Sequence, residues 1–217
     1  MQGETHMVKQ VTPEEVGREI GWEQYHNSTM PFATAMITID ASNLVKFYNG
    51  HRGIYHLNTL ILYLLVKACE PVKETRLNLI DGKIYQFDRY CISCPMHDDE
   101  GKLRICCIPY YDNLDEFQAE YNRLTQECRT QRRAIYHKDM MQIGTSNYSA
   151  YNVHLDAAIP AYNPMFNNPM FMIGKITEVD HKMVLKISLS INHVLMDGEH
   201  ACAVLENFQN LMNDLRK

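Results

Sequence analysis

The sequence predicts an α+β fold: a mixed β-sheet covered by helices, in two layers. Three observations predict it. Strand-like runs at 33–40, 83–87, 90–97, 102–109, 170–178 and 182–191 alternate with helix-like runs along the whole chain. The runs between 83 and 109 are separated by Glu100-Gly101 and preceded by Asp81-Gly82, turn pairs that make an antiparallel meander. With 217 residues, 46% of them hydrophobic and 22% charged, the chain can bury a sizeable core, and disorder would leave too much apolar surface in water. No repeat, low-complexity run or Gly/Ser linker divides it, so residues 1–217 read as a single domain.

The elements follow in order. Thr12 suits an N-cap, Pro13 the first helical position and Glu14-Glu15 the first turn, so a short helix is expected from 13, ending near Gly21 or Trp22. Residues 33–40 alternate and end in β-branched side chains, as a strand does. Ser42 or Asp40 caps a helix through Tyr48, stopped by Asn49-Gly50. Residues 57–69 are apolar all round, which predicts a buried helix, and Pro71 stops it. Asn113 or Asp112 caps a long polar helix over about 114–136, with Leu114, Phe117, Tyr121, Leu124 and Cys128 at helical spacing. A Pro-, Asn- and Tyr-rich stretch, 144–169, reads as loop. Strands 170–178 and 182–191 flank an Asp180-His181 turn, and 199–215 form a last amphipathic helix.

Composition excludes several classes. The 21 basic and 26 acidic residues leave a formal charge of −5, a poor generic binder of nucleic acid or anionic membrane. The most apolar stretch, Leu57 to Val66, is broken by Asn58, Thr59 and Tyr63 and falls short of the roughly 18 residues of a membrane span. The start, Met-Gln-Gly-Glu-Thr-His, has neither a basic nor an apolar leader region, so the expected location is cytoplasmic. Seven cysteines, with Cys106 and Cys107 adjacent, suit a reduced chain better than a disulfide framework.

The chemistry concentrates at the end of the strand 182–191. It runs into Asn192-His193-Val194-Leu195-Met196-Asp197-Gly198, and a helix follows. An imidazole, with its unperturbed pKa of about 6.5, suits general-base work near neutral pH, and a strand end puts it at a cleft. Asp197 fixes the turn, caps the helix or pairs with a distant Arg. Gly198 permits positive φ or close packing. A polar strand end followed by an ordinary Asp-Gly turn is the plain alternative.

The segment Lys186–His200, with His193-x-x-x-Asp197-Gly198, resembles the signature of the chloramphenicol acetyltransferase family. The resemblance covers nearly the whole chain. Arg18-Glu19-Ile20-Gly21-Trp22-Glu23-Gln24-Tyr25 resembles an early family segment, and Leu57–Cys69 with Pro71 its buried helix. Asp81-Gly82-Lys83-Ile84-Tyr85 resembles its hairpin, Ser146-Asn147-Tyr148-Ser149 its Ser-Phe-x-Ser, and Met172-Ile173-Gly174-Lys175 its Met-Gly-Lys strand. The resemblance implies a CoA-dependent acyltransferase fold and a homotrimer with active sites between subunits. It implies direct acetyl transfer from acetyl-CoA to a hydroxyl of a small molecule, chloramphenicol or a similar one, with no metal. His193 would be the general base, Ser149 the oxyanion donor, Asp197 and Arg18 a buried pair holding the turn, and Lys175 a contact to CoA. Asn192 stands where the family has a first His, and Ile176 where it has a CoA-contacting Tyr. An acyltransferase on another acceptor, or a catalytically silent trimeric binding protein of this fold, are the alternatives.

Other candidates have plain readings. Cys91-x-x-Cys94 with His97 is half of a zinc pattern, but on a strand 91 and 94 point to opposite faces. Arg129, Arg132 and Arg133 near Lys138 suit a solvated helix face, with phosphate contact to CoA as the sharper reading. Ser146 is the fallback for Ser149. The thirteen methionines suit core filling or an adaptable pocket. His154, His181 and His200 read as surface or turn residues, and Trp22, Tyr25 and Phe32 as either core or an acceptor wall.

Overall fold

Nine strands form two sheets in the computed structural model, which describes residues 8–151, 156, 158–161, 163 and 166–215. A small sheet pairs β1 (Val8–Val11) with β4 (Lys83–Phe87) and β4 with β3 (Leu77–Ile80), all antiparallel. The large sheet runs β2-β9-β8-β7-β5-β6. In it β2 (Phe32–Asp40) is antiparallel to β9 (Lys182–Asn192), with Phe32 opposite Asn192. β8 (Met170–Val179) is antiparallel to β9 but parallel to β7 (Met141–Asn147), which is parallel to β5 (Tyr90–His97). β6 (Leu103–Pro109) closes the sheet antiparallel to β5.

The period-2 pattern of β9 explains which face is covered. Leu185, Ile187, Leu189 and Ile191 join the main core, and the intervening Ser188 and Ser190 face the other way. On the core side lie α3 (Leu57–Cys69), α4 (Leu114–Gln131) and α5 (Gly198–Asp214), with α2 (Ser42–Gly50) against α5. All but three residues of α3 are buried, as its all-round apolar sequence demands. Burial of each such Leu or Ile contributes about 1.5–3 kcal/mol, and this helix anchors the core. Asn113 caps α4 as expected, its Oδ1 accepting from Asp115 N at 2.8 Å and Glu116 N at 3.1 Å.

The expected turns are present. Asp81-Gly82 has φ of 50° and 71°, and Asp180-His181 has 48° and 63°. Positive φ at both central residues is what a two-residue hairpin with the native twist requires. Three expectations are corrected. The helix from Pro13 is a 3-10 turn, Glu14–Val16, that ends where Gly17 takes φ 68°, and α1 (Glu19–Tyr25) starts afresh and runs past Trp22. The long helix stops at Gln131, because Arg132 is left-handed at φ 55°. The stretch expected as loop from 144 contains the end of strand β7, and β1 and β3 are strands that the sequence pattern does not predict. His154 lies outside the described residues.

All seven cysteines are free, and all but Cys202 are buried. Cys91 packs with Cys107 and Met140 on one face of β5, whereas Cys94 belongs to the main core on the other. The opposite-face expectation for this pair is met. No helix among the described residues is long and apolar enough to cross a membrane.

Candidate active site

Where β9 ends, the backbone turns through His193–Asp197 into α5, and two of that turn's anchors, Asn192 and Arg18, are buried. Asn192 is 1% exposed. Its Oδ1 accepts from Val194 N at 2.9 Å, its Nδ2 donates to Asn167 Oδ1 at 2.7 Å, and its carbonyl accepts from Leu195 N and Met196 N. His193 N donates to Pro31 O at 2.6 Å, just ahead of β2.

Arg18, at the N-terminal end of α1 and only 3% exposed, reaches this turn from 175 residues away. Its Nη1 and Nη2 donate to Asp197 Oδ2 at 2.5 Å and Oδ1 at 2.8 Å, a bidentate pair. Nη2 also donates to His193 O at 3.1 Å and Nε to Val194 O at 3.2 Å. The guanidinium hydrogen bonds hold the Asp197 carboxyl below the usual carboxylate range, against the opposing effect of partial burial. The close approach needs Gly21. A Cβ there would lie 2.5 Å from Arg18 Nη2 and 2.9 Å from Val194 O.

The His193 ring stacks on Tyr25, with centroids 4.4 Å apart and planes 27° apart. Trp22 stacks instead on His26. His193 Nδ1 lies 3.4 Å from Asp197 Oδ1, but the approach lacks hydrogen-bond geometry, and Nδ1 is buried without a hydrogen-bond partner. The side chain as a whole is 29% exposed. The ring is thus held by stacking and by its backbone and stays partly open to solvent.

A cleft of about 390 Å³ opens on the sheet face away from the helices. Phe32, Tyr136, Met170 and Met172 supply apolar walls, and Ser93, Gln142 and Ser146 polar points. Gln142 Oε1 accepts from Cys107 Sγ, and Ser93 Oγ accepts from Thr145 N at 2.7 Å. Phe32 is the β2 residue opposite Asn192, so the cleft reaches the base of the His193 turn without including His193. Gly144 keeps it open, since a Cβ there would lie 2.5 Å from Met170 Sδ.

The remaining expected residues are placed less centrally. Ser149 is exposed just past β7, its N donating to Asn147 Oδ1 at 2.8 Å, and it does not line the cleft, whereas Ser146 does. Lys175 is exposed on β8 beside the irregularity between Ile173 and Ile176, where Gly174 lies 2.8 Å (as a built Cβ) from Lys186 O. The basic run at the end of α4 is partly paired just past the helix, Arg132 with Glu100 at 2.6 Å and Arg133 with Glu127 at 2.8 Å, which suits a solvated surface. Among the described residues, one group of potential metal ligands clusters, Asp197, Glu199 and His200, but both Asp197 oxygens already accept from Arg18.

Comparison with known proteins agrees with this geometry. The family model described as chloramphenicol acetyltransferase matches residues 16–209. The chain is 22% identical over 192 residues to chloramphenicol acetyltransferase 2 of Escherichia coli, across 85% of this chain and 83% of that protein. It is 17% identical over 203 residues to chloramphenicol acetyltransferase 3 of Escherichia coli, across 89% and 92%. Among solved structures, a chloramphenicol acetyltransferase superposes with a TM-score of 0.79 at 16% identity, covering 95% of this chain and all of that one. The cubic core of the pyruvate dehydrogenase multienzyme complex superposes at 0.69 and 17% identity, covering 99% and 94%. Both share the CoA-dependent acyltransferase fold. The family match begins ahead of Arg18 and ends beyond the His193–Asp197 turn, and the chain therefore belongs to the chloramphenicol acetyltransferase family of acyltransferases.

Proposed function

We propose that the protein transfers an acetyl group from acetyl-CoA directly to a hydroxyl of a small, largely apolar acceptor, chloramphenicol or a molecule like it. One observation carries this reading: a half-buried imidazole at a strand end whose turn is clamped by Arg18, Asp197 and Asn192 while the ring stays partly exposed. His193 takes the acceptor's hydroxyl proton as its oxygen attacks the thioester carbonyl. The tetrahedral intermediate carries negative charge on the former carbonyl oxygen, and the Ser149 hydroxyl donates to it. Collapse expels the CoA thiolate, and the His193 imidazolium returns the proton to sulfur. Asp197 and Arg18 keep the turn in place, and Lys175 contacts CoA.

Two further observations support a site shared between subunits. Ser149 and His193 make no hydrogen bond to each other within one chain, and the cleft stops short of His193. A homotrimer, in which each cleft meets a neighbour's His193, brings them together by closed head-to-tail contacts. The donor and acceptor are tested by thiol release from acetyl-CoA, with chloramphenicol and a panel of small alcohols, in wild type and His193→Ala. The expected result is acceptor-dependent release that falls by at least ~10²-fold in the variant, the usual loss with a general base. Release from no acceptor would favour a silent binding protein of the same fold.

A further inference from the structure

A second histidine touches the turn. His200 is the third residue of α5, one helical turn past Asp197. Its Nδ1 accepts a hydrogen bond from Asp197 N at 2.9 Å. A ring nitrogen that accepts carries no proton, so the ring's proton sits on Nε2. Nε2 lies 3.6 Å from Oε1 of Glu74, a residue only 8% exposed on the 3-10 turn Lys73–Arg76 that follows α3. Two other carboxylates lie 4.0 Å from the ring, Asp197 Oδ2 from Nδ1 and Glu199 Oε1 from Nε2.

The start of α5 explains why this contact matters. An Asp at an N-cap ordinarily spends its carboxylate on the backbone N–H groups of the first turn. Here both oxygens accept from Arg18. Asp197 and His200 stand as a capping box: the Asp197 carboxylate, shared with Arg18, faces the His200 N–H, and the His200 ring reaches back to the Asp197 main chain. The five-residue turn is thus fixed at one end by His193 N on Pro31 O and at the other by Asp197 N on His200 Nδ1. Arg18 holds the middle, and its grip on His193 O and Val194 O depends on where the Asp197 carboxylate sits.

We propose that His200, backed by Glu74, is a positioning residue for His193: it pins the Asp197 main chain, and through Arg18 it fixes where the His193 ring stands. The proposal rests on His193 as the base. Two substitutions separate positioning from packing. Gln suits the third position of a capping box and accepts the same hydrogen bond, whereas Ala cannot. With acetyl-CoA and chloramphenicol, His200→Ala should lower kcat at least about tenfold, toward the ~10²-fold that a 1 Å misplacement costs, with KM for acetyl-CoA little moved. His200→Gln should recover most of the loss. In parallel, an NMR titration of the His193 ring needs no acceptor. Its midpoint should move in His200→Ala and stay in place in His200→Gln. If the Ala variant does not fold, His200→Leu, which fills the space without accepting, replaces it. An unmoved His193 midpoint in the Ala or Leu variant, or Gln behaving no better than Ala, overturns the proposal. If wild type releases no CoA with chloramphenicol, the acceptor reading fails, and the NMR titration alone decides the role of His200.

Discussion

Replacing Asp197 by Asn tests the pair that holds the turn. Arg18 is 3% exposed and would keep its two carbonyl partners, His193 O and Val194 O, and at most one hydrogen bond to the amide oxygen, with no carboxylate to balance its charge. Breaking a buried ion pair costs about 3–5 kcal/mol. Asp197 keeps 38% of its side chain in water, so the loss belongs at the lower end, about 3 kcal/mol. For a chain of this size that is a fall of roughly 6–12 °C in Tm. A simple helix cap would behave differently, because Asn replaces Asp there almost freely. Activity should fall in step, since the same guanidinium holds the carbonyl of His193. The pH dependence has a defined sign. Arg18 lowers the native pKa of Asp197 below the ordinary aspartate value of about 3.9, so the pair's stabilisation is complete above that value and is lost as pH falls through the native one. The stability gap between wild type and Asp197→Asn should therefore be widest near neutral pH and close in acid. Thermal melts at pH 7 and at pH 3 measure it. A Tm within a degree of wild type at pH 7, with full activity, would refute the argument.

Three further outcomes are expected. Ser149→Ala should reduce kcat by ~10²-fold or somewhat less and leave KM for acetyl-CoA nearly unmoved, since an oxyanion donor acts on the transition state; if Ser146→Ala is the more damaging variant, the donor is the serine that lines the cleft. Gly21→Ala forces a Cβ against Arg18 and two backbone carbonyls and should cost roughly 1–3 kcal/mol by overpacking, while Gly50→Ala, with open space around it, serves as the neutral control in the same melts. A disulfide reagent should label one thiol quickly in the native protein, Cys202, and all seven after unfolding; rapid labelling of several native thiols would contradict the buried placement of the rest.

Local pattern carried much of this structure. The alternation in β9, the Asp-Gly pair after it and the amphipathic run beyond placed the strand, the turn and α5 in the right order, because each is decided within a few residues. The all-apolar α3 and the Asn113 cap were legible for the same reason. β7 was not, since Gln142, Gly144, Thr145 and Ser146 make it polar and Gly-bearing. Those residues line the cleft, and Gly144 is required by the approach of Met170 and Asn168. β1 and β3 have four residues each, too few for a period to show. Arg18 is the harder case. No local signal joins it to Asp197 across 179 residues, and only the family resemblance did so. Gly21 did carry a signal: a Gly inside a helix costs about 1 kcal/mol against Ala, and such a cost points to a close approach. His200 read as a surface residue because an N3 His is not the usual capping-box partner; Glu or Gln is.

By the family resemblance Asn192 stands where a first His is expected, and that difference is the reason to consider a silent protein. Its position argues otherwise about what was lost. The amide is buried, and both of its ends are used, Oδ1 on the Val194 N–H and Nδ2 on Asn167, while its carbonyl receives Leu195 and Met196. Neither of those side-chain hydrogen bonds goes to the His193 ring. A side chain in that place shapes the turn and takes no proton from His193. Protonating an imidazole there would carry a charge into a buried site, at a cost in desolvation. A neutral amide makes the same contacts at every pH. The departure therefore alters how the turn is held rather than what the base can do, and the question of catalytic competence falls on His193 and its clamp.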